Sequence, residues 1–109
     1  MEDFVPFEIA KKLKEKEFDW ETSNVYERNA IACRYEDYPK PTISQVLKWL
    51  REEKKIHIGF GYSPRKKWRY VVMYMDDRFY NRTTLAVDGF LKIEQAALAG
   101  IEYVLDNLI

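Results

Sequence analysis

Apolar residues recur at the spacing of one helical face in a stretch near the middle of the chain. They are Ile43, Val46, Leu47 and Leu50, with Trp49 beside them. Thr42 stands three residues before Gln45, so each side chain can bond the backbone N–H of the other residue in a capping box. Two lysines, at positions 54 and 55, follow where positive charge suits the carbonyl end of a helix. The pattern predicts a helix over residues 43–54.

The next stretch changes to the period of two strands joined by a turn. Residues 56–62 alternate apolar with small or polar side chains. Residues 63–67, Ser-Pro-Arg-Lys-Lys, are typical of a turn, and residues 68–75 are rich in aromatic and β-branched side chains. Pairing across this loop predicts four cross-strand pairs: Tyr62–Trp68, Phe60–Tyr70, Ile58–Val72 and Ile56–Tyr74. Because alternation fixes the side, we expect these eight residues on the core face, under the helix.

The opposite face of this hairpin has an unusual composition. It carries His57, Gly59, Gly61, Arg69, Val71, Met73 and Met75. Glycine within a strand often marks a bulge or the close approach of another group. We therefore expect a shallow floor at the two glycines, beside an apolar row.

Flanking segments add two helices and a further strand. A narrow apolar stripe after Pro6 predicts a helix over residues 7–16, and a wide stripe predicts another over residues 92–108. Residues 79–85 alternate, which predicts a third strand, and Asp88-Gly89 is expected to end it.

Residues 18–40 have the least regular pattern. Residues 25–27 and 30–35 are consistent with two short strands of a second hairpin, followed by an extended connector over residues 38–41. A long loop without structure is unusual in a compact domain, so either this hairpin forms or the segment lacks a fixed structure.

The predicted fold is a single small α+β domain over residues 1–109. Its antiparallel sheet has two to four strands and contains the hairpin 56–62/68–75. The predicted helices 7–16, 43–54 and 92–108 pack against it.

Composition narrows the class of protein. Hydrophobic residues make up 47 % and charged residues 33 %, as in ordinary globular proteins, and the length suits one domain with its own core. Eighteen basic residues balance eighteen acidic ones, which argues against general polyanion binding. The single Cys33 excludes an internal disulfide. The single cysteine, the acidic start of the sequence and the lack of an apolar run of membrane-spanning length together predict a cytoplasmic protein.

The candidate catalytic groups are isolated. His57 is the only histidine and has no second ligand at metal-binding spacing, so an ordinary strand histidine is favoured over a general base. Cys33 has no neighbouring histidine, and Asp76-Asp77 is typical of a turn. Gly59 and Gly61 lie within a strand, with no helix following to bind phosphate. The sequence therefore predicts no enzyme, no cofactor, no metal and no catalytic residues.

Four stretches resemble small uncharacterised proteins encoded in phages and prophages of Bacteroides-type bacteria. They are FVPFEIAKKL at 4–13, PTISQVLKWLRE at 41–52, IHI at 56–58 and AALAGI at 96–101. The resemblance covers most of the chain outside residues 18–40. It implies a mobile-element origin and carries no catalytic residues over.

The order helix–strand–strand–strand–helix also resembles the double-stranded-RNA-binding fold in topology. That fold places basic residues at the start of its last helix, where this chain has one lysine and one glutamate within residues 90–94. The resemblance therefore does not predict phosphate recognition by that route.

Two non-enzymatic functions follow as hypotheses. The first is protein binding, to a partner or a second copy, through the candidate docking residues Val71, Met73, Met75, Gly59 and Gly61. The alternative is that the N-terminal helix or residues 18–40 cover this face.

The second hypothesis is nucleic-acid binding at the hairpin turn. Its candidate contacts are Arg65, Lys66, Lys67, Arg69 and Trp68, with Tyr62 also available to stack on bases. The alternative is an ordinary solvated turn.

Overall fold

Three helices and a three-stranded antiparallel sheet form the main body of this α+β chain. The computed structural model describes residues 3–20, 25–26, 38–74 and 82–109. The helices are α1 (Phe7–Glu15), α2 (Ile43–Glu53) and α3 (Ile93–Asn107). The strands are β1 (Val25–Tyr26), β2 (Tyr38–Pro39), β3 (Ile56–Tyr62), β4 (Trp68–Tyr74) and β5 (Arg82–Phe90). The α+β class is confirmed, and each predicted helix matches its observed bounds to within one residue.

The main sheet has the order β3-β4-β5, and both pairings are antiparallel. The β3–β4 register contains all four predicted pairs: Tyr62–Trp68, Phe60–Tyr70, Ile58–Val72 and Ile56–Tyr74. Strand β4 ends at Tyr74, and Met75 lies outside the described residues. The alternation of apolar with small or polar residues therefore predicts the correct face of the sheet for every described residue of the hairpin.

The turn between β3 and β4 is short and closed by two backbone hydrogen bonds. The N–H of Ser63 donates to the carbonyl of Lys67 at 2.8 Å, and the N–H of Lys66 donates to the carbonyl of Ser63 at 2.9 Å. Lys66 has φ 61°, so a left-handed residue follows the turn at Pro64-Arg65. This is the three-residue hairpin loop that usually places glycine at the left-handed position.

Helix α3 lies close against the core face of the sheet. A Cβ on Gly100 would stand 3.1 Å from the Ile58 side chain of β3 and 3.1 Å from the Tyr70 ring of β4. Helix α2 packs beside α3 and against β3. Ile56, Ile58, Tyr70 and Val72 are buried and Phe60 is half-buried, whereas Tyr62 and Tyr74 are exposed. The core face therefore extends beyond the cover that the helices provide.

Helix α2 begins as the sequence predicts. The Thr42 hydroxyl accepts a hydrogen bond from the N–H of Gln45 at 3.2 Å, and the N–H of Thr42 donates to Oε1 of Gln45 at 2.8 Å. The capping box is thus complete. The backbone of Lys55, one residue past the helix cap, has φ 58°.

Helix α1 is joined to α3 and ends in a Schellman motif. The Nζ atom of Lys12 lies 3.3 Å from a carboxylate oxygen of Glu102 and 3.0 Å from a carboxylate oxygen of Asp106, and both acidic residues are on α3. At the end of α1, the N–H of Phe18 donates to the carbonyl of Leu13 at 3.0 Å, and both side chains are buried. Glu17 between them has φ 64°.

Two strand predictions were wrong. Strand β5 does not end before Asp88-Gly89 but continues to Phe90, because Gly89, with φ 108°, is an extra residue opposite Trp68 and Arg69. This is a β-bulge, which lets a strand continue past a glycine.

The second correction concerns β1. Val25–Tyr26 pairs with Tyr38–Pro39, the stretch that we expected to be an extended connector. Residues 30–35, the expected partner, lie outside the described residues, as do Cys33 and Asp76-Asp77.

No helix in ranges 3–20, 38–74 and 82–109 has the length and apolar character needed to cross a membrane.

Candidate functional site

The outer face of the sheet, opposite α3, consists of three rows that cross β3, β4 and β5. The register aligns Gly61, Arg69 and Asp88 in the first row, Gly59, Val71 and Ala86 in the second, and His57, Met73 and Thr83 in the third. The middle row contains a glycine, a valine and an alanine. The centre of the outer face therefore has short side chains, with longer ones on either side.

Long side chains lie over both glycines. A Cβ on Gly59 would stand 3.3 Å from the methyl carbon of Met73 and 3.7 Å from Nε2 of His57. A Cβ on Gly61 would stand 2.6 Å from Nε of Arg69. Other side chains therefore approach both glycines closely, so Met73 and Arg69 lie over the shallow floor that we expected.

This face remains partly open to solvent. Val71 and Met73 are half-buried, whereas Ala86 and Asp88 are exposed. Among the described elements, α2 and α3 pack on the core side of the sheet, and α1 packs against α3 and β2. The N-terminal helix therefore does not cover the outer face, and most of residues 18–40, the other cover that we considered, lies outside the described residues. Of the predicted docking residues, Val71, Met73, Gly59 and Gly61 share this surface.

The predicted nucleic-acid contacts divide between two faces. Arg65 and Lys66 are exposed in the turn. Trp68 lies on the core side, where its ring meets that of Tyr62 edge to face with centroids 5.1 Å apart. Arg69, the next residue, lies on the outer face over Gly61. The structure therefore brings the aromatic pair to the end of the hairpin that carries the exposed cations, but separates Arg69 from both rings.

Burial affects one ionisable group of the core face. Desolvation raises the pKa of the Tyr70 hydroxyl above its ordinary value, and the nearby Tyr103 adds to this rise. Tyr70 packs against α3, and the centroid of its ring lies 5.7 Å from the centroid of the Phe90 ring. Its position is that of a core residue.

Within the described ranges, no three His, Cys, Asp or Glu residues are grouped so that they could hold a metal ion.

Sequence reasoning missed several exposed residues near these surfaces. Ala86 and Asp88 belong to the outer face, but the strand was expected to end before them. Leu91, directly after β5, is 69 % exposed. The alternation of Ala86, Val87 and Asp88 indicates that the strand continues, but Gly89 directly after them is typical of a strand end.

No protein-family model, curated protein or solved structure matches this chain.

Proposed function

We propose that this chain is a non-enzymatic protein-binding module whose binding surface is the outer face of the β3-β4-β5 sheet. Its partner is a protein segment that presents apolar, uncharged side chains. The resemblance to phage and prophage proteins supports a role as an accessory protein of a mobile element, acting in the cytoplasm.

The observation that carries this proposal is the arrangement of Met73 over Gly59. The methyl group of Met73 lies beside the position that a side chain on Gly59 would take, and the Met73 residue is only half-buried, so part of it faces solvent. A methionine side chain is flexible and polarizable, so it can move from the glycine and fit the shape of a partner. The half-buried Val71 and the exposed Ala86 extend this apolar strip across the sheet.

Charge at the edge of the strip supports the choice of partner. Arg69 and Asp88 are opposite each other in the register, so this end of the face carries one positive and one negative charge and no net charge. The middle row carries no charge at all. A partner with a strongly charged surface would lose hydration there without gaining a counter-charge, whereas an apolar segment would not.

The experiment starts with the immobilised chain and a lysate of the bacterium that encodes it. A retained protein is identified, purified and titrated against the wild-type chain and Met73→Asp by calorimetry. We expect Met73→Asp to weaken binding at least tenfold, because a carboxylate would be buried without a partner. Gln95→Asp is the matched control, since Gln95 is exposed on α3, away from the sheet's outer face. Equal affinity of the wild type and Met73→Asp would contradict the proposal.

A second candidate function is nucleic-acid binding at the hairpin turn. The observation that favours it is the exposure of Arg65 and Lys66 near Tyr62, whose side chain is 59 % exposed and available to stack on a base. This function predicts a mobility shift of single-stranded nucleic acid at low salt that is lost when Lys66→Glu and Lys67→Glu are combined. If the wild type gives no shift at low salt, this candidate is excluded.

A further inference from the structure

The two edges of the sheet differ in how they are protected. Strand β5 carries two register shifts, which leave Gly89 and Thr84 as extra residues opposite β4. Such bulges bend an edge strand and discourage further pairing. Strand β3 runs for seven residues in continuous register with β4. It contains no proline, lysine, arginine, aspartate or glutamate, so it lacks the charges, prolines and bulges that often protect an edge strand.

The hairpin turn shows which backbone groups of β3 point outward. Because the N–H of Ser63 donates to Lys67, the alternation of an antiparallel ladder places the β4-facing groups of β3 at the odd-numbered positions 61, 59 and 57. The N–H and C=O groups of Ile56, Ile58, Phe60 and Tyr62 then face away from β4. In the described part of the chain, β3 pairs with β4 alone.

From this edge we infer that β3 binds β3 of a second copy of the chain, antiparallel and about a two-fold axis at Gly59. This register pairs all seven residues and joins the outward-facing groups of both strands. Ile58 then lies opposite Phe60 of the partner subunit, and Ile56 lies opposite Tyr62 of the partner subunit. The resulting sheet has six strands.

The composition of β3 fits a second copy of itself. The strand is uncharged, so two copies meet without like-charge repulsion. Even-numbered residues meet even-numbered residues, so the apolar core face continues across the junction and covers the half-buried Phe60 and the exposed Tyr62. Gly59 faces Gly59 of the partner subunit, where the absence of side chains permits close approach of the two backbones.

The size of this edge indicates a weak, concentration-dependent dimer. The junction joins two single strands over a length of about 24 Å, so it buries less surface than the roughly 800 Å² per partner of a standard interface. Sedimentation velocity between about 10 µM and 1 mM is therefore the appropriate range. We expect the wild type to change from monomer to dimer across this range, and a monomer at all concentrations would overturn the inference.

The axis at Gly59 makes a charge-exchange experiment possible. The atoms nearest to a Cβ at this position belong to the flexible end of Met73 and to the His57 ring, and the new side chain would face its own copy across the axis. Gly59→Lys and Gly59→Glu should each weaken dimerisation about fivefold, because like charges would be opposed. An equimolar mixture of the two variants should form dimers again. Unchanged dimerisation of either variant alone, or a mixture that stays monomeric, would overturn the inference.

Amide hydrogen exchange in the wild type gives an independent test. The N–H groups of Ile58 and Phe60 should exchange more slowly as protein concentration rises, whereas that of Gly59, bonded within the hairpin, should not change. Equal concentration dependence at the three positions would contradict the edge pairing. Met73→Asp, which tests the outer face, should leave the dimer intact, so the two proposals can fail separately.

Discussion

Gly100 of α3 stands so close to Tyr70 of β4 that a Cβ on the glycine would be 3.1 Å from the ring. Ile58 is at the same distance on the neighbouring strand, and both side chains are buried. Neither can move away without disturbing the core, because protein interiors are close-packed. The glycine thus sets the depth at which α3 lies on the sheet.

We therefore expect Gly100→Ala to destabilise the fold although alanine is the better helix former. The gain in helix propensity is about 1 kcal/mol, and overpacking costs about 1–3 kcal/mol. Thermal unfolding should show a lower Tm. As a control, Gln95→Ala and Gln95→Gly measure the propensity difference at an exposed site of the same helix. If Gly100→Ala gained as much stability as this difference, the close approach would be refuted.

The capping box predicts the energetic role of Thr42. Thr42→Ala removes the acceptor for the N–H of Gln45 and should lower the free energy of unfolding by about 1 kcal/mol. Thr42→Ser keeps the hydroxyl and should change it by less than half as much. Urea denaturation of the three proteins provides the comparison, and equal losses in both variants would show that the hydroxyl bond contributes nothing.

Lys55 offers a stabilising substitution. Its φ of 58° is costly for any residue with a Cβ, by about 1–2 kcal/mol. Lys55→Gly should relieve this strain and, after the greater entropy of the unfolded glycine chain is subtracted, stabilise the protein by about 0.5–1 kcal/mol. Lys55→Ala is the control, because it removes the charge but keeps the strain. A comparable gain from alanine would mean that charge, not backbone conformation, is responsible.

The contact between α1 and α3 should depend on pH and salt. The hydrogen bond from Lys12 to Asp106 raises the pKa of Lys12 above its ordinary 10.5, with Glu102 adding to the rise. Since the folded pKa is the higher one, this contribution is complete below pH 10.5 and is lost as pH rises through the raised value.

Lys12→Gln should accordingly reduce the free energy of unfolding by at most about 1 kcal/mol, because the side chains of Lys12, Glu102 and Asp106 are 32–55 % exposed to solvent. The difference should shrink at high salt. Lys11→Gln, on the exposed side of α1, is the control. Denaturant titrations at low and high salt that show no difference between the two variants would exclude a role for this ion pair.

Much of the main sheet could be predicted because local signals agreed. Alternation, turn composition and loop length together allowed one register for β3 and β4, and the capping box located the start of α2. The end of β5 could not be predicted in this way. Gly89 is a bulge only because β4 continues beside it, and that neighbour lies far away in sequence.

The candidate site shows a similar limit. Alternation placed Gly59, Gly61, Val71 and Met73 on one face, but it carries no information about side-chain conformation. It could not show that Met73 and Arg69 lie over the glycines. Nor could it show that β1 pairs with residues 38–39, since short strands carry weak patterns and their pairing is decided by distant contacts.

The helices cover one face of the sheet, whereas the described elements leave the other face partly open, and Val72 and Met73 test this difference most directly. They are adjacent in β4, and Val72 is fully buried whereas Met73 is half-buried on the outer face. In thermal unfolding, Val72→Asp should prevent folding or cost more than about 4 kcal/mol, whereas Met73→Asp should cost about 1 kcal/mol or less. If both substitutions destabilised the protein equally, the outer face would be buried and the account would be contradicted.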